Sequence, residues 1–246
     1  MWCRQLCRHH QRHARRNCRR VTKPSQLYKA YLFDLDGTLV DTAPDLGGAL
    51  DASLRAAGLP GVTTEQARNW IGLGARFSLT QALQHYGIEL DDTAVDQLLK
   101  EFLDHYEAHI ADTSTPYEGV IDTLDQLTDA GIPLAVVTNK PARFTLPLLS
   151  AMSLDGYFAA VISGDTAPRP KPAADPILLC LSELGISTDA ALMVGDSVTD
   201  VNAAKAAKVD VACFAYGYNQ GQDVCDLQPN WVFERMDELL PAKTFT

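Results

Sequence analysis

The chain has 246 residues, of which 46% are hydrophobic, and a formal net charge of -10, which suits one large domain or a main domain with a second one inserted. No stretch approaches the roughly 18 uncharged apolar residues that a membrane-spanning helix needs, so we expect no membrane association. Residues 1–30 hold nine Arg or Lys and no acidic residue, which leaves 12 basic against 31 acidic side chains in the remainder, and such an acidic body argues against a general nucleic-acid surface.

The first predicted segment is a basic leader over residues 1–28, which we expect to be disordered. It has no apolar periodicity and mixes Arg with Cys and His (Cys3, Cys7, His9, His10, His13 and Cys18). The Cys and His spacing matches no standard zinc site, and an arginine-rich start without acidic residues also resembles an organelle transit peptide. We favour a tail or an upstream translation start, with the functional chain beginning near Leu27, which intact-mass measurement of the native protein tests.

From residue 30 onward, short apolar runs alternate with longer helical patterns, which is typical of an α/β fold with a parallel sheet covered by helices. Each run is continuously apolar, as a strand buried on both faces should be. The predicted strands are residues 30–34, 134–138, 159–163, 191–195 and 209–214. Two intervening helices are predicted to end at Gly131 and Gly185, because glycine adopts the left-handed cap conformation.

Cysteine usage indicates a reducing environment. The six cysteines show no spacing typical of a disulfide framework. Cys180 and Cys213 lie in apolar stretches, so we expect them to be small core residues. A cytoplasmic location follows as the default.

Residues 44–112 interrupt the alternation of strands and helices. Apolar residues recur there at helical spacing, without a strand pattern (Leu46, Leu50, Leu54, Leu79, Leu83, Leu98, Leu99, Phe102, Leu103 and Tyr106). We therefore predict a core over 29–43 and 113–246, and an inserted all-helical cap domain over 44–112 that moves as a lid.

The first predicted strand leads directly into DLDGTLVDT at residues 34–42. Asp34 and Asp36 are two carboxylates at the end of a buried strand, and holding them together is costly unless they share a cation or a proton. Gly37 allows a sharp turn that leaves backbone N–H groups facing an anion. The alternative interpretation is a turn with surface aspartates.

Three later segments of the chain also place polar residues at or near the ends of predicted strands. Thr138 and Asn139 end the second strand and offer donors to a phosphate oxygen, although Thr-Asn is also ordinary turn chemistry. Lys171 lies among three prolines that would fix its ammonium, or it is a solvated loop lysine. The fourth strand ends in GDSVTD, where Asp196 and Asp200 bind a metal or the segment caps a helix.

These four segments are expected to meet. In an open parallel sheet the ligand crevice lies beyond the carboxyl ends of the strands, and all four segments occupy such ends. Together they supply a nucleophilic carboxylate, a second carboxylate, hydroxyl and amide donors, a lysine, and carboxylates for a hard divalent cation.

In this order, DLDGTLVDT, Thr138-Asn139, RPKP and GDSVTD resemble the haloacid dehalogenase-like superfamily of phosphohydrolases, over about residues 29–240. The resemblance implies a Rossmann-like core with an inserted cap domain and a magnesium-dependent phosphatase activity. The stretches TAPDL, WIGLGA, TNKPARFTLPLL and VISGDT further resemble the bacterial phosphoglycolate phosphatases, which implies 2-phosphoglycolate as the substrate. Lys208 stands where the family usually has a glycine after a helix, which puts that helix cap in question.

Carried over by position, the resemblance assigns the catalytic roles. Asp34 attacks phosphorus and becomes an aspartyl-phosphate, and Asp36 protonates the leaving alkoxide and then deprotonates the hydrolytic water. Thr138 and Lys171 hold the transferring phosphoryl oxygens. The phosphate site also includes Gly37 and Asn139.

The same resemblance implies a Mg²⁺ site. Its expected ligands are the Asp34 carboxylate, the backbone carbonyl of Asp36 and the Asp196 carboxylate. Asp200 is expected to support the metal site by orienting Lys171 or a metal-bound water.

Substrate choice is assigned to the cap. Arg76 follows GLGA and is a candidate partner for a substrate carboxylate, against the alternative of a surface arginine at a helix start. We predict that Arg76→Ala raises KM for a carboxylated substrate specifically, and an equal effect on a neutral phosphate ester rejects that role.

Other functions remain compatible with these residues. The closest alternatives are a phosphatase for a sugar or nucleotide phosphate and a sugar phosphomutase of the same superfamily. A dehalogenase has no need of Asp36 and Gly37, and a catalytically silent binding protein does not need the intact catalytic positions. The expected partner is a small phosphorylated metabolite, with no nucleic acid and no membrane, and the expected state is a monomer or homodimer.

Overall fold

The computed structural model describes residues 27–241, so the predictions for the leader, including its zinc and transit-peptide interpretations, lie almost entirely outside the described residues. The strands are β1 (Ala30–Phe33), β2 (Val40–Asp41), β3 (Thr115–Pro116), β4 (Leu134–Val137), β5 (Phe158–Ile162), β6 (Ala191–Gly195), β7 (Asp210–Phe214) and β8 (Trp231–Phe233). The helices are α1 (Ala43–Ala56), α2 (Thr64–Arg68), α3 (Ala75–His85), α4 (Asp92–Ala108), α5 (Val120–Asp129), α6 (Ala142–Ala151), α7 (Asp175–Leu184) and α8 (Val198–Ala207). None of these helices is both long enough and apolar enough to cross a bilayer.

Six strands form one parallel sheet in the order β5-β4-β1-β6-β7-β8, which confirms the α/β prediction. The five predicted strands end within one residue of the observed ones. The chain runs outward from β1 to β5 and then returns to β6 on the other side, so the strand order reverses beside β1. Such a reversal opens a ligand crevice at the carboxyl edge of the sheet.

The sheet is buried on both faces because successive side chains point to opposite sides. Tyr31 and Phe33 of β1 pack in the layer that contains α5 and α6, whereas Ala30 and Leu32 pack in the layer that contains α7 and α8. Fully burying a side chain such as Phe33 stabilises the fold by about 1.5–3 kcal/mol. The second layer also contains the free thiols of the two cysteines predicted to be core residues, Cys180 and Cys213.

Helices α1 to α4 lie between β2 and β3. Three of them, α1, α3 and α4, share a core of their own (Leu50, Leu54, Leu79, Leu83, Leu98, Phe102 and Tyr106), to which α6 adds Phe144. The chain leaves and re-enters the main sheet region through the antiparallel pair β2–β3. Asp45 in the first turn of α1 accepts hydrogen bonds from the backbone N–H groups of Thr113 and Ser114, which joins the two connections. The division into two domains at these connections stays a prediction.

Helices α5, α7 and α8 are followed by a residue in the left-handed conformation, which is glycine in two cases and lysine in the third. Gly131 and Gly185 have positive φ angles of 70° and 65° at the ends of α5 and α7, as predicted. At the end of α8 the left-handed position is taken by Lys208, with φ 58° and ψ 42°. The cap is therefore formed, but the left-handed conformation of a lysine costs about 1–2 kcal/mol relative to its preferred right-handed conformation.

Candidate active site

Four loops meet at the carboxyl edge of the sheet. Asp34 follows β1, Thr138 follows β4, Asp196 follows β6, and Lys171 comes from the loop between β5 and α7. All four residues are buried. The structure thus brings together side chains that are up to 162 positions apart, because parallel strands deliver their carboxyl ends to one edge.

The turn after β1 depends on Gly37, which has a φ of 84°. A Cβ atom at this position would lie 2.5 Å from Oδ2 of Asp196, so no larger residue fits. The N–H of Gly37 donates to the carbonyl of Val40 at 2.9 Å. The N–H of Gly37 is therefore used within the turn, and the expectation that backbone N–H groups of this turn face an anion stays a prediction.

Asp34 is buried beside a cation and two further carboxylates. Its Oδ1 lies 2.9 Å from Nζ of Lys171 in an ion pair. The contact lacks hydrogen-bond geometry, and Oδ1 has no hydrogen-bond partner in the described part of the chain. Burial raises the pKa of Asp34 to about 6, reinforced by the negative charges of Asp200 and Asp36 and opposed by Lys171.

Lys171 is fixed by groups on three sides. Nζ donates to the carbonyl of Val137 and to Oδ1 of Asp200, both at 2.7 Å. The side-chain amide of Asn139 donates to the carbonyl of Lys171 and accepts from its N–H, both at 2.8 Å. Burial lowers the pKa of Lys171, but the charges of Asp200 and Asp34 outweigh it and raise that pKa. Asn139 is thus engaged in holding the lysine loop, a positioning role that the sequence interpretation did not foresee.

Asp196 is held with both carboxylate oxygens occupied. Oδ1 accepts from the hydroxyl of Thr38 at 2.7 Å, and Oδ2 accepts from the backbone N–H of Tyr218 at 2.5 Å. Burial, together with the charges of Asp200 and Asp34, raises the pKa of Asp196 well above its ordinary value. Gly217 lets the backbone approach, since a Cβ there would lie 2.2 Å from that of Asp196.

Asp200 connects the lysine to the turn before α8. Besides Lys171, it accepts at Oδ2 from the N–H of Ser197 at 3.0 Å and from its hydroxyl at 2.6 Å. The side chain is fully buried. Both of its oxygens are therefore engaged, one of them with Lys171.

Asp36 is held by a lysine that the sequence interpretation missed. Nζ of Lys140 lies 3.0 and 3.1 Å from the two carboxylate oxygens of Asp36, and the hydroxyl of Thr42 donates to Oδ1 at 2.7 Å. The Lys140 side chain is only 4% exposed. Its Nζ also lies 4.6 Å from the ring centroid of Tyr106, which comes from α4. Burial lowers the pKa of Lys140, and the charge of Asp36 outweighs this and raises it.

A divalent cation fits the charge balance of the site. Carboxylate oxygens of Asp34, Asp196 and Asp200 lie within 4.8 Å of one another. The site as a whole contains four carboxylates and two ammonium groups, an excess of two negative charges when all are ionised (Asp34, Asp36, Asp196, Asp200, Lys140 and Lys171). Carboxylate oxygens are the ligands that Mg²⁺ prefers, and the excess of negative charge favours a cation among them.

A cavity of about 310 Å³ extends from these residues to the helices above them. Asp34, Asp36 and Thr138 line its floor, and its upper wall is largely apolar (Leu46, Ile71, Leu99, Phe102, Leu103 and Phe144). Arg76 also lines this cavity, but its guanidinium pairs with Asp96 of α4 and its side chain is 52% exposed. Arg76 therefore lies at the cavity, but its guanidinium is paired with Asp96 in this structure.

Comparisons with known proteins agree with this geometry. The family model described as haloacid dehalogenase-like hydrolase matches residues 31–214. Phosphoglycolate phosphatase 1 of Pseudomonas aeruginosa is 42% identical over 222 residues, which cover 89% of this chain and 80% of that protein. Phosphoglycolate phosphatase of Colwellia psychrerythraea is 39% identical and covers 85% of this chain and 94% of its own. A crystal structure described as a predicted phosphoglycolate phosphatase from Haemophilus somnus superposes with a TM-score of 0.79 at 32% identity, over 84% of this chain and 94% of that one.

Proposed function

This chain belongs to the haloacid dehalogenase-like hydrolase family, and we propose that it is a magnesium-dependent phosphatase that hydrolyses 2-phosphoglycolate to glycolate and phosphate. In the proposed reaction the phosphoryl group is transferred first to the enzyme and then to water. The choice of substrate is supported by the phosphoglycolate phosphatases at about 40% identity over most of the chain.

One observation supports this chemistry most directly, the position of the Asp34 carboxylate. It lies at the end of β1, on the floor of the cavity, with Lys171 2.9 Å away. A carboxylate that lines the cavity can present an oxygen to phosphorus, which is what the nucleophile of this reaction needs. Lys171, which pairs with this carboxylate, neutralises charge on the phosphoryl oxygens as the transition state forms.

The reaction divides into two displacements. An oxygen of Asp34 attacks phosphorus, the ester P–O bond breaks, and the leaving alkoxide takes a proton from Asp36. Asp36 then accepts a proton from the water that attacks the aspartyl-phosphate, which restores Asp34 and releases phosphate. Thr138 and Lys171 bind the transferring oxygens in both steps.

Asp34 and Asp196 would hold Mg²⁺ through their carboxylates, together with the backbone carbonyl of Asp36. When bound, the cation supplies electrostatic stabilisation of the phosphoryl group and offsets the negative charge of the carboxylates. Asp200 contributes by fixing Lys171. Thr38 and the N–H of Tyr218 orient Asp196.

The cavity favours a small ester over a large one. Its volume of about 310 Å³ is at the low end of the range for ligand sites, and Lys140 and Lys171 are the ammonium groups at its floor. A two-carbon substrate with one phosphate and one carboxylate suits this size, and its anionic groups can pair with the two ammonium groups once a bound cation offsets the carboxylates.

A phosphate-release assay over small phosphoesters, with and without Mg²⁺, tests this function. We expect 2-phosphoglycolate to give the highest kcat/KM, no turnover in excess chelator, and none in an Asp34→Asn variant. Free phosphate must accumulate without isomerised sugar phosphate. Higher kcat/KM on a sugar or nucleotide phosphate, or full activity in chelator, contradicts the proposal.

A further inference from the structure

The glycolate end of the substrate must lie beside Asp36. On the proposed function, Asp36 protonates the ester oxygen, and the carboxyl carbon of 2-phosphoglycolate is only two bonds from that oxygen. Productive binding therefore brings the substrate's carboxylate close to the carboxyl group of Asp36. Once Asp36 has given its proton to the leaving group, it and the substrate's carboxylate are two like charges in a partly buried site, and they need a cation next to them.

Lys140 is placed to be that cation. Of the four cationic residues that line the cavity, it alone pairs with Asp36 among the residues that the structure describes. Lys171 is engaged at the nucleophile, Arg76 pairs with an aspartate near the surface, and Arg143 is exposed over an aromatic ring. An ammonium group has three N–H donors, and the two carboxylate oxygens of Asp36 accept two of them from Lys140, so the third is not used by Asp36.

Tyr106 supplies an independent sign of a ligand at the same place. This residue of α4 is 1% exposed, lines the cavity, and lies with its ring 4.6 Å from Nζ of Lys140. Its hydroxyl has no hydrogen-bond partner within residues 27–241. A buried hydroxyl without a partner is destabilising, and folded proteins rarely leave one unless a ligand or water completes it.

We propose that Lys140 and the hydroxyl of Tyr106 form the subsite that binds the substrate's carboxylate. One group comes from the loop after β4 and the other from α4, so a substrate held there bridges the sheet and the helices above it. This assignment rests on the proposed hydrolysis of 2-phosphoglycolate. Lys140 and Tyr106 then determine substrate specificity, the role that the sequence analysis suggested for Arg76.

The variant Tyr106→Phe tests the subsite, because it deletes only the hydroxyl and keeps the ring that packs against Phe144 and Lys140. The assay compares kcat/KM for 2-phosphoglycolate with that for ethyl phosphate, in which a methyl group replaces the carboxylate. We expect the ratio of the two values to fall about tenfold or more, the loss typical of one hydrogen bond to a charged group. Tyr157→Phe removes an exposed hydroxyl that donates to Asp125 outside the cavity, and it should leave the ratio unchanged.

Lys140→Met provides a second readout. It should lower kcat on both substrates, because Lys140 also holds Asp36, and it should raise KM only for 2-phosphoglycolate. Thermal unfolding of each variant checks that the fold is intact.

The outcomes separate this proposal from the proposed function. A wild-type enzyme without preference for 2-phosphoglycolate overturns both. A wild-type preference that persists in Tyr106→Phe and Lys140→Met overturns the subsite alone. A ratio that falls in Arg76→Ala, but not in the other two variants, assigns the carboxylate to Arg76 and likewise overturns the subsite.

Discussion

Replacing Asp200 by Asn tests whether this aspartate holds Lys171 in place. The carboxylate is fully buried and accepts from Lys171 on one oxygen and from Ser197 on the other. An asparagine has nearly the same shape but carries an NH₂ group on one side. Because Lys171 and the N–H of Ser197 are both donors, the NH₂ group must face a donor in either orientation.

The expected loss of stability follows from these contacts. Removing one partner from a buried ion pair costs about 3–5 kcal/mol, and weaker repulsion of Asp34 and Asp196 offsets part of it. We expect a net loss of about 3 kcal/mol, which for a chain of this size lowers Tm by about 6–12 °C. A lysine that is no longer held against Asp34 should also lower kcat by about 10²-fold, as the loss of a transition-state donor does.

Differential scanning calorimetry and a phosphate-release assay measure the two effects on the same samples. Asp104→Asn is the matched control, because it makes the same substitution in an exposed ion pair with Lys100 and should leave Tm and kcat unchanged. A Tm for Asp200→Asn within about 1 °C of wild type, with kcat retained, would refute the reasoning that Asp200 holds the lysine.

Three further predictions concern the metal site, the turn after β1 and the cap of α8. Saturating Mg²⁺ should raise the Tm of wild type and of Asp104→Asn, because a cation at about 100 times its Kd adds about 2.7 kcal/mol to the free energy of unfolding. A similar rise in Asp196→Asn contradicts the assignment of Asp196 as a ligand. Gly37→Ala should lower kcat and destabilise the fold by about 1–3 kcal/mol, because the added Cβ would meet Asp196 and the φ of this residue is positive. An unchanged free energy of unfolding in chemical denaturation refutes this prediction. Lys208→Gly should increase the free energy of unfolding by about 1 kcal/mol at unchanged kcat, and a decrease would show that the left-handed lysine carries no strain.

The sequence was sufficient for the sheet and for the residues at its carboxyl edge. Five apolar runs predicted the five longest strands, because a strand buried on both faces is continuously apolar. The β2–β3 pair and β8 were missed, since two or three residues are too few for a pattern. Asp34, Thr138, Lys171 and Asp196 were expected at one edge because parallel strands end there, and they do meet there.

Contacts between distant segments were beyond the reach of sequence patterns. Lys140 resembles an ordinary loop lysine, and only the fold brings it to Asp36, 104 positions earlier. Tyr106 was assigned to the core of the helical segment, which is correct for its ring but gives no hint of the unpartnered hydroxyl. The pairing of Arg76 with Asp96 depends on how α3 and α4 pack, which helical periodicity does not define.

The central claim is that Asp34 is the nucleophile, and the most direct test is to locate the phosphoryl group during turnover. Enzyme mixed with 2-phosphoglycolate and Mg²⁺ is quenched in acid within the first turnover, digested, and sequenced by tandem mass spectrometry. We expect one added phosphoryl group on the Asp34 side chain, and none when Asp34 is replaced by Asn. Phosphate release at the wild-type rate with no phosphorylated aspartate, or with the group on another residue, would contradict the account.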